Sequence, residues 1–141
     1  MVERDYKFYL SFENSICKDY VTEKFFNAMK YNLIPIVLGG ADYNEISPFH
    51  SVIQVAKDYE DPLRLANLIQ DLDADDEKYA EYFWWKEYYE VRMGPQHRAQ
   101  AFCALCQRLN EDPFVDKSIY SHLDKWWEDK AKCRSVHNTE D

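Results

Sequence analysis

Asn14, Tyr20, Glu23 and Lys24 place an amide, a phenol, a carboxylate and an ammonium within eleven residues. Together these groups suit a phosphorylated sugar or nucleotide. An ammonium is a mobile point charge for a phosphate. A carboxylate in the first turn of a helix can accept both hydroxyls of a ribose, and an amide or phenol can hold a phosphate oxygen or a sugar hydroxyl. The strand-like run Phe8-Tyr-Leu-Ser-Phe12 precedes them and a helical pattern follows. In open α/β sheets, ligands bind at such a junction, beyond the strand's carboxyl end and against free helix N–H groups. A plainer reading also stands: Glu23 and Lys24 as a solvated helix start, with Tyr20 a partly buried aromatic. The glycine signatures of the commoner nucleotide sites, G-x-G-x-x-G and G-x-x-x-x-G-K-[ST], do not occur, which argues against dinucleotide binding and a Walker-type ATPase.

Other groupings carry less. Asp71-Leu-Asp73 and Asp73-Ala-Asp75 have the form of a metal-binding D-x-D, but no strand pattern precedes them, and an acidic joint capping a helix explains them better. Cys103, Cys106, Cys133 and His137 could be set out as a zinc group, yet the spacing is loose and His137 lies almost at the chain end. A redox Cys-x-x-Cys lacks the preceding thioredoxin-like strand. Trp84-Trp85 and Trp126-Trp127 could stack on sugars, although at helical spacing beside Tyr and Leu they read better as packing residues. His50, His97 and His122 have no companions that suggest catalysis.

The elements that must position the junction follow from periodicity. Tyr6–Phe12 alternates and is rich in β-formers, so it reads as a strand. Asp19 is the expected N-cap of a helix in which Val21, Phe25, Ala28 and Met29 share one face, with Asn27 and Lys30 opposite. Leu33–Leu38 is continuously apolar and ends at Gly39-Gly40, as a buried parallel strand followed by a loop needing backbone freedom. Strand, helix and strand make one βαβ unit. Ala41–Phe49 reads as loop and Ser51–Ala56 as a third strand. Asp61-Pro62 opens a helix with Pro at its first position. The acidic stretch Asp73–Glu77 caps another helix, expected over Lys78–Val91 and ended by Gly94-Pro95. Ala99, Phe102, Cys103, Cys106 and Leu109 share a helical face. Asp112-Pro113 breaks the chain. Ile119, Tyr120, Leu123, Trp126 and Trp127 mark a last amphipathic helix. The expected organisation is a core over 1–95, a helical extension over 96–134 packing on it, and a frayed tail over 135–141.

The chain has 141 residues, 46% hydrophobic and 30% charged, the profile of one globular domain. Its net charge of −9 argues against nucleic acid or an anionic membrane surface as main partner. A single anionic small ligand remains compatible, because local geometry overrides net charge. No apolar run approaches the ~20 residues of a membrane span, and Met-Val-Glu-Arg-Asp has no signal-peptide core. The first strand begins almost at once, as expected of a piece of a longer protein.

Tyr6-Lys-Phe-Tyr-Leu-Ser-Phe-Glu-Asn-Ser15 and Cys17-Lys-Asp-Tyr-Val-Thr-Glu-Lys24 together resemble the signature of the α1,3-fucosyltransferases, glycosyltransferase family 10. Asn32-Leu-Ile-Pro-Ile-Val-Leu-Gly39, Ser51-Val-Ile53 and Tyr79–Lys86 extend the resemblance in the family's order, from about Lys7 to Trp127. It implies an α/β fold, a Rossmann-like parallel sheet flanked by helices, forming the C-terminal, donor-binding half of a GT-B glycosyltransferase. It implies GDP-fucose as donor and transfer of L-fucose, with inversion, to an N-acetylglucosamine of a glycan. By motif position Tyr9, Asn14, Tyr20, Glu23 and Lys24 are implied donor contacts: Glu23 on the ribose, Lys24 and Tyr20 on the diphosphate, Tyr9 and Asn14 nearer the base or sugar. No bound metal or other cofactor is expected. The catalytic base is expected upstream, with the acceptor half and a membrane anchor, in a Golgi-luminal type II membrane protein. Cysteines of this kind form structural disulfides in the family, and the partners of Cys103 and Cys106 are expected in the part upstream.

Overall fold

The computed structural model describes residues 2–55, 61–111 and 119–134. Among them three strands form one sheet in the order β1-β2-β3: β1 Phe8–Phe12, β2 Ile34–Leu38 and β3 Ile53–Gln54. Both pairings are parallel, with Phe8 opposite Ile34, Phe12 opposite Leu38 and Ile36 opposite Ile53. The helices are α1 Val2–Asp5, α2 Glu23–Lys30, α3 Tyr43–Ile46, α4 Pro62–Ala74, α5 Asp76–Glu81, α6 Pro95–Asn110 and α7 Leu123–Ala131, with a 3-10 turn at Trp84–Glu87.

β2 is apolar on both faces because both are covered. On one face Val37 packs with Phe25 and Met29 of α2 and with Tyr43 and Trp85. On the other, Ile34, Ile36 and Ile53 pack with Leu72 of α4 and with Tyr82. The sheet is therefore the middle layer of three, the architecture that βαβ repeats produce. Pro35 is tolerated in this central strand because the β2–β3 ladder starts only at Ile36, so no β3 residue stands opposite it.

The amino ends of β1 and β2 are tied to the later helices. The Tyr79 hydroxyl lies 3.0 Å from the Lys7 carbonyl and 2.8 Å from that of Asn32. Lys86 Nζ donates to the Tyr31 carbonyl at 2.6 Å and to Asn32 Oδ1 at 2.8 Å. The carboxyl ends of the strands are left to the β1–α2 loop and the turn after β2.

The expected pattern holds with local corrections. The helix after β1 begins at Glu23, not near Asp19: Asp19 has φ +60° and Thr22 takes the N-cap position. The helix expected over Lys78–Val91 stops at Glu81, the 3-10 turn follows, and 88–93 are not helical. Gly94 does not end that helix; it precedes α6, with Pro95 at the first position. The stretch read as loop, Ala41–Phe49, contains the one-turn α3. Asp61 and Asp75 cap α4 and α5 as expected, Asp61 accepting from Leu63 N at 2.9 Å and Asp75 from Glu77 N and Lys78 N at 3.1 Å. Gly39 and Gly40 are required for close approach, since neither has positive φ. A Cβ at Gly40 would lie 2.4 Å from the Cys17 carbonyl oxygen, and one at Gly39 would lie 2.3 Å from the Tyr43 hydroxyl.

α6 is exposed from Arg98 to Asn110, Phe102, Leu105 and Leu109 included. α7 meets the β1–α2 loop at its end: Lys18 N donates to the Ala131 carbonyl at 2.6 Å and Arg134 N to the Ile16 carbonyl at 2.8 Å. A Cys17–Cys133 disulfide fixes that contact. The break at Asp112-Pro113 and the tail over 135–141 lie outside the described residues.

Candidate functional site

The β1–α2 junction is built around a buried carboxylate that sequence reasoning passed over. Glu13 leaves the end of β1 only 8% exposed. Its Oε1 accepts from Thr22 N at 2.9 Å and its Oε2 from Thr22 Oγ1 at 2.7 Å. Glu13, nine residues upstream, thus holds the N-cap residue by its N–H and hydroxyl, and Thr22's own side chain makes no cap hydrogen bond. A carboxylate at this end also suits the helix dipole. Ser11, fully buried, ties β1 to α2 through Oγ to the Lys24 carbonyl at 3.2 Å. These two contacts fix the strand end against the helix start. No local pattern announces them, because a cap normally lies next to its helix.

Lys24 projects back over the strand end. Its Nζ donates to the Phe12 carbonyl at 2.9 Å and to Asn14 Oδ1 at 2.6 Å. An ammonium has three donors, so this geometry aims two and leaves one for a ligand oxygen. Asn14 and Lys24 are thereby brought together as one unit. Glu23, beside Lys24 in the first turn, is exposed and has no charge partner among the described residues. Tyr20 is half-buried and lines a cavity of about 250 Å³ with Lys18, Val21, Trp126, Trp127 and Lys130. It faces the C-terminal helix. Tyr9 is half-buried on the strand itself, at an alternate position to Phe8 and Leu10, the pairing partners of Ile34 and Ile36. It therefore lies on the Ser11 face, against α2.

Tyr43 completes the back of the junction. It is 3% exposed, packs against Phe25 at 5.5 Å between ring centroids, and its hydroxyl finds no hydrogen-bond partner among the described residues. Burial, helped by the Glu13 charge, pushes the hydroxyl up to about 12, so it is neutral at physiological pH.

The alternative groupings dissolve. Asp75 is spent on its cap, and Asp76 pairs with Lys7 Nζ at 2.8 Å. Cys133 is bonded to Cys17, whereas Cys103 and Cys106 are exposed free thiols, and His137 lies outside the described residues. Among the described residues no group of His, Cys, Asp and Glu could hold a metal ion. Trp85 is buried as a packing residue, while Trp84 is half-exposed with Nε1 donating to the Phe49 carbonyl at 2.9 Å.

In this parallel α/β layer, cation, amide and carboxylate stand at the carboxyl end of the first strand, where open sheets bind ligands. The comparisons make this specific. Residues 1–126 match the C-terminal model of glycosyltransferase family 10 (fucosyltransferase). The chain is 40% identical over 136 residues to α-(1,3)-fucosyltransferase C of Drosophila melanogaster, covering 96% of this chain and 31% of the relative. It is 40% identical over 137 residues to glycoprotein 3-α-L-fucosyltransferase A of the same organism, covering 94% of this chain and 26% of the relative. It is 37% identical over 123 residues to human 4-galactosyl-N-acetylglucosaminide 3-α-L-fucosyltransferase 9, covering 86% of this chain and 33% of the relative. The chain belongs to glycosyltransferase family 10, the fucosyltransferases. It spans about a third of the length of the curated relatives it matches.

Proposed function

We propose that this chain is the donor-binding part of an α1,3-fucosyltransferase, taking GDP-fucose at the β1–α2 junction. The observation that carries this is the Lys24 ammonium held over the β1 end by Phe12 and Asn14 in a member of a fucosyltransferase family. In this reading Glu23 accepts the ribose hydroxyls. Lys24 and Tyr20 hold the diphosphate, while Tyr9 and Asn14 line the pocket nearer the base or sugar. The core over 1–95 carries the pocket, and 96–134 is its helical extension.

L-Fucose passes to an N-acetylglucosamine of a glycan with inversion, by direct displacement of GDP. Lys24 neutralises the charge that grows on the departing diphosphate, an electrostatic contribution that commonly dominates such steps. The base that deprotonates the acceptor is assigned to the remaining part of the enzyme, together with the acceptor site. The setting is the Golgi lumen. Among the described residues no helix is long and apolar enough to cross a membrane, and an anchor would lie elsewhere in the full protein.

The test is Lys24→Ala in a complete enzyme containing this chain. Loss of one such electrostatic contact lowers kcat by about 100- to 1000-fold. An unchanged rate would remove Lys24 from the reaction.

A further inference from the structure

We propose that the groove between the β1–α2 loop and the segment after α7 is an oxyanion site, in which Lys132 and Arg134, with Lys18, take the phosphates of the nucleotide-sugar donor. This rests on the donor reading above and adds residues to it. A cavity of about 500 Å³ is lined by Ile16, Lys18, Gly40, Lys132, Cys133 and Arg134. All of its charged lining groups are cations, in a chain whose net charge is −9. Lys18, Lys132 and Arg134 make no ion pair among the described residues. Like charges gathered on one lining repel one another and are relieved by an anion; the carboxylates of Asp42 and Asp19 line the two adjoining cavities instead. Arginine's planar fork suits phosphate oxygens in particular.

The groove sits where a phosphate is expected. Gly40 follows β2 and pairs in a one-residue parallel bridge with Lys18, so the cavity opens at the carboxyl ends of the strands. A neighbouring cavity of about 370 Å³ shares Gly40 and Arg134 and reaches Tyr43, whose buried hydroxyl lacks a partner among the described residues. The cavity lined by Tyr20 shares Lys18 on the other side. Two of Lys24's three donors are already directed at Phe12 and Asn14. A diphosphate carries more than one negative charge, and the groove supplies the cations that Lys24 alone does not.

The groove is a product of the fold. Arg134 reaches it because its backbone pairs with Ile16 and because Cys133 is bonded to Cys17. Lys132 and Arg134 lie outside the residues 1–126 matched by the family model but inside the 96% of this chain that aligns with α-(1,3)-fucosyltransferase C.

The experiment titrates inorganic pyrophosphate, guanosine and GDP-fucose into the full chain and into the surface variant Lys132→Ala/Arg134→Ala, with thermal melting to show that the variant folds. The expected result is that pyrophosphate competes with GDP-fucose and that the variant loses tenfold or more in affinity for both, with guanosine unaffected. Affinity for pyrophosphate should also fall steeply with added salt. Equal pyrophosphate binding by variant and parent overturns the proposal, as does failure of the parent to bind pyrophosphate. If pyrophosphate binding depends on the two cations but GDP-fucose has no advantage over other nucleotide sugars, the oxyanion groove stands and the donor reading falls. If GDP-fucose binds selectively and the variant binds it as the parent does, the donor reading stands and the groove falls.

Discussion

Lys24 is a single side chain whose direction is set by the fold. Its stem runs back from the first turn of α2, and the Phe12 carbonyl and Asn14 fix its ammonium. That ordering is done by folding, so in the proposed donor site little side-chain entropy would be left to lose on binding. Two phenols make a checkable claim at the same scale. Burial pushes both Tyr43, beside Glu13, and Tyr79 up to about 12. The folded chain holds these protons more tightly than the unfolded chain, where phenols titrate near their usual ~10. Their contribution to stability is whole below pH ~10 and is lost as pH rises from there through about 12. The denaturation midpoint should be level from neutrality to about pH 9.5 and fall beyond pH ~10. Tyr43→Phe should flatten part of that fall. A midpoint level to pH 12 would mean that neither hydroxyl is held as described.

The decisive element is the loop between β1 and α2, which serves the helix, the turn after β2 and the C-terminal segment at once. Gly40 lets it approach: a Cβ there would press on the Cys17 backbone, with N, C and O all within 2.9 Å. Backbone cannot rotate away as a side chain can, so Gly40→Ala should destabilise by about 3 kcal/mol, read as a lowered denaturation midpoint. A change below a few tenths would show that the loop yields freely. The Cys17–Cys133 bond spans 116 residues of sequence. Closing a loop of that order is worth up to about 4–5 kcal/mol in the unfolded-chain account. Cys17→Ser/Cys133→Ser should lower the midpoint and release Arg134 from Ile16; an unaltered midpoint would place the stability of the fold elsewhere. Much of this scale was legible beforehand. The period of Phe25, Ala28 and Met29, the apolar run of β2, and the caps at Asp61 and Asp75 are local signals, and each appears in the fold. The start of α2 differs from the expected one because its N-cap, Thr22, is held by Glu13, a contact across nine residues. The pairing of Cys17 with Cys133 is longer-ranged still, and spacing alone left it open.

At the scale of the whole molecule, the two ends of the sheet differ: one is tied to the later helices and the other is left to loops. Tyr79 and Lys86 close the amino ends of β1 and β2 with hydrogen bonds. The carboxyl ends carry Asn14, Glu23, Lys24 and the cations around Gly40. The candidate donor residues were legible as a cluster of chemical types. Their partition was not: Asn14 meets Lys24, whereas Tyr20 faces α7, because α7 returns to the loop through contacts made after more than 100 residues of chain. In the proposed reading the chain, about a third of its relatives' length, should by itself bind GDP-fucose only weakly and not turn it over. A transferase rate from the chain alone would contradict the placing of the base outside it. The central claim, a GDP-fucose pocket at the β1–α2 junction, is tested most directly by calorimetric titration of GDP-fucose into the chain and into its Lys24→Ala variant, beside UDP-galactose as control. The account predicts saturable binding of GDP-fucose, none of UDP-galactose, and a loss of at least about tenfold, or 1.4 kcal/mol, in the variant. Equal affinity for the two nucleotide sugars, or equal affinity of parent and variant for GDP-fucose, would contradict it.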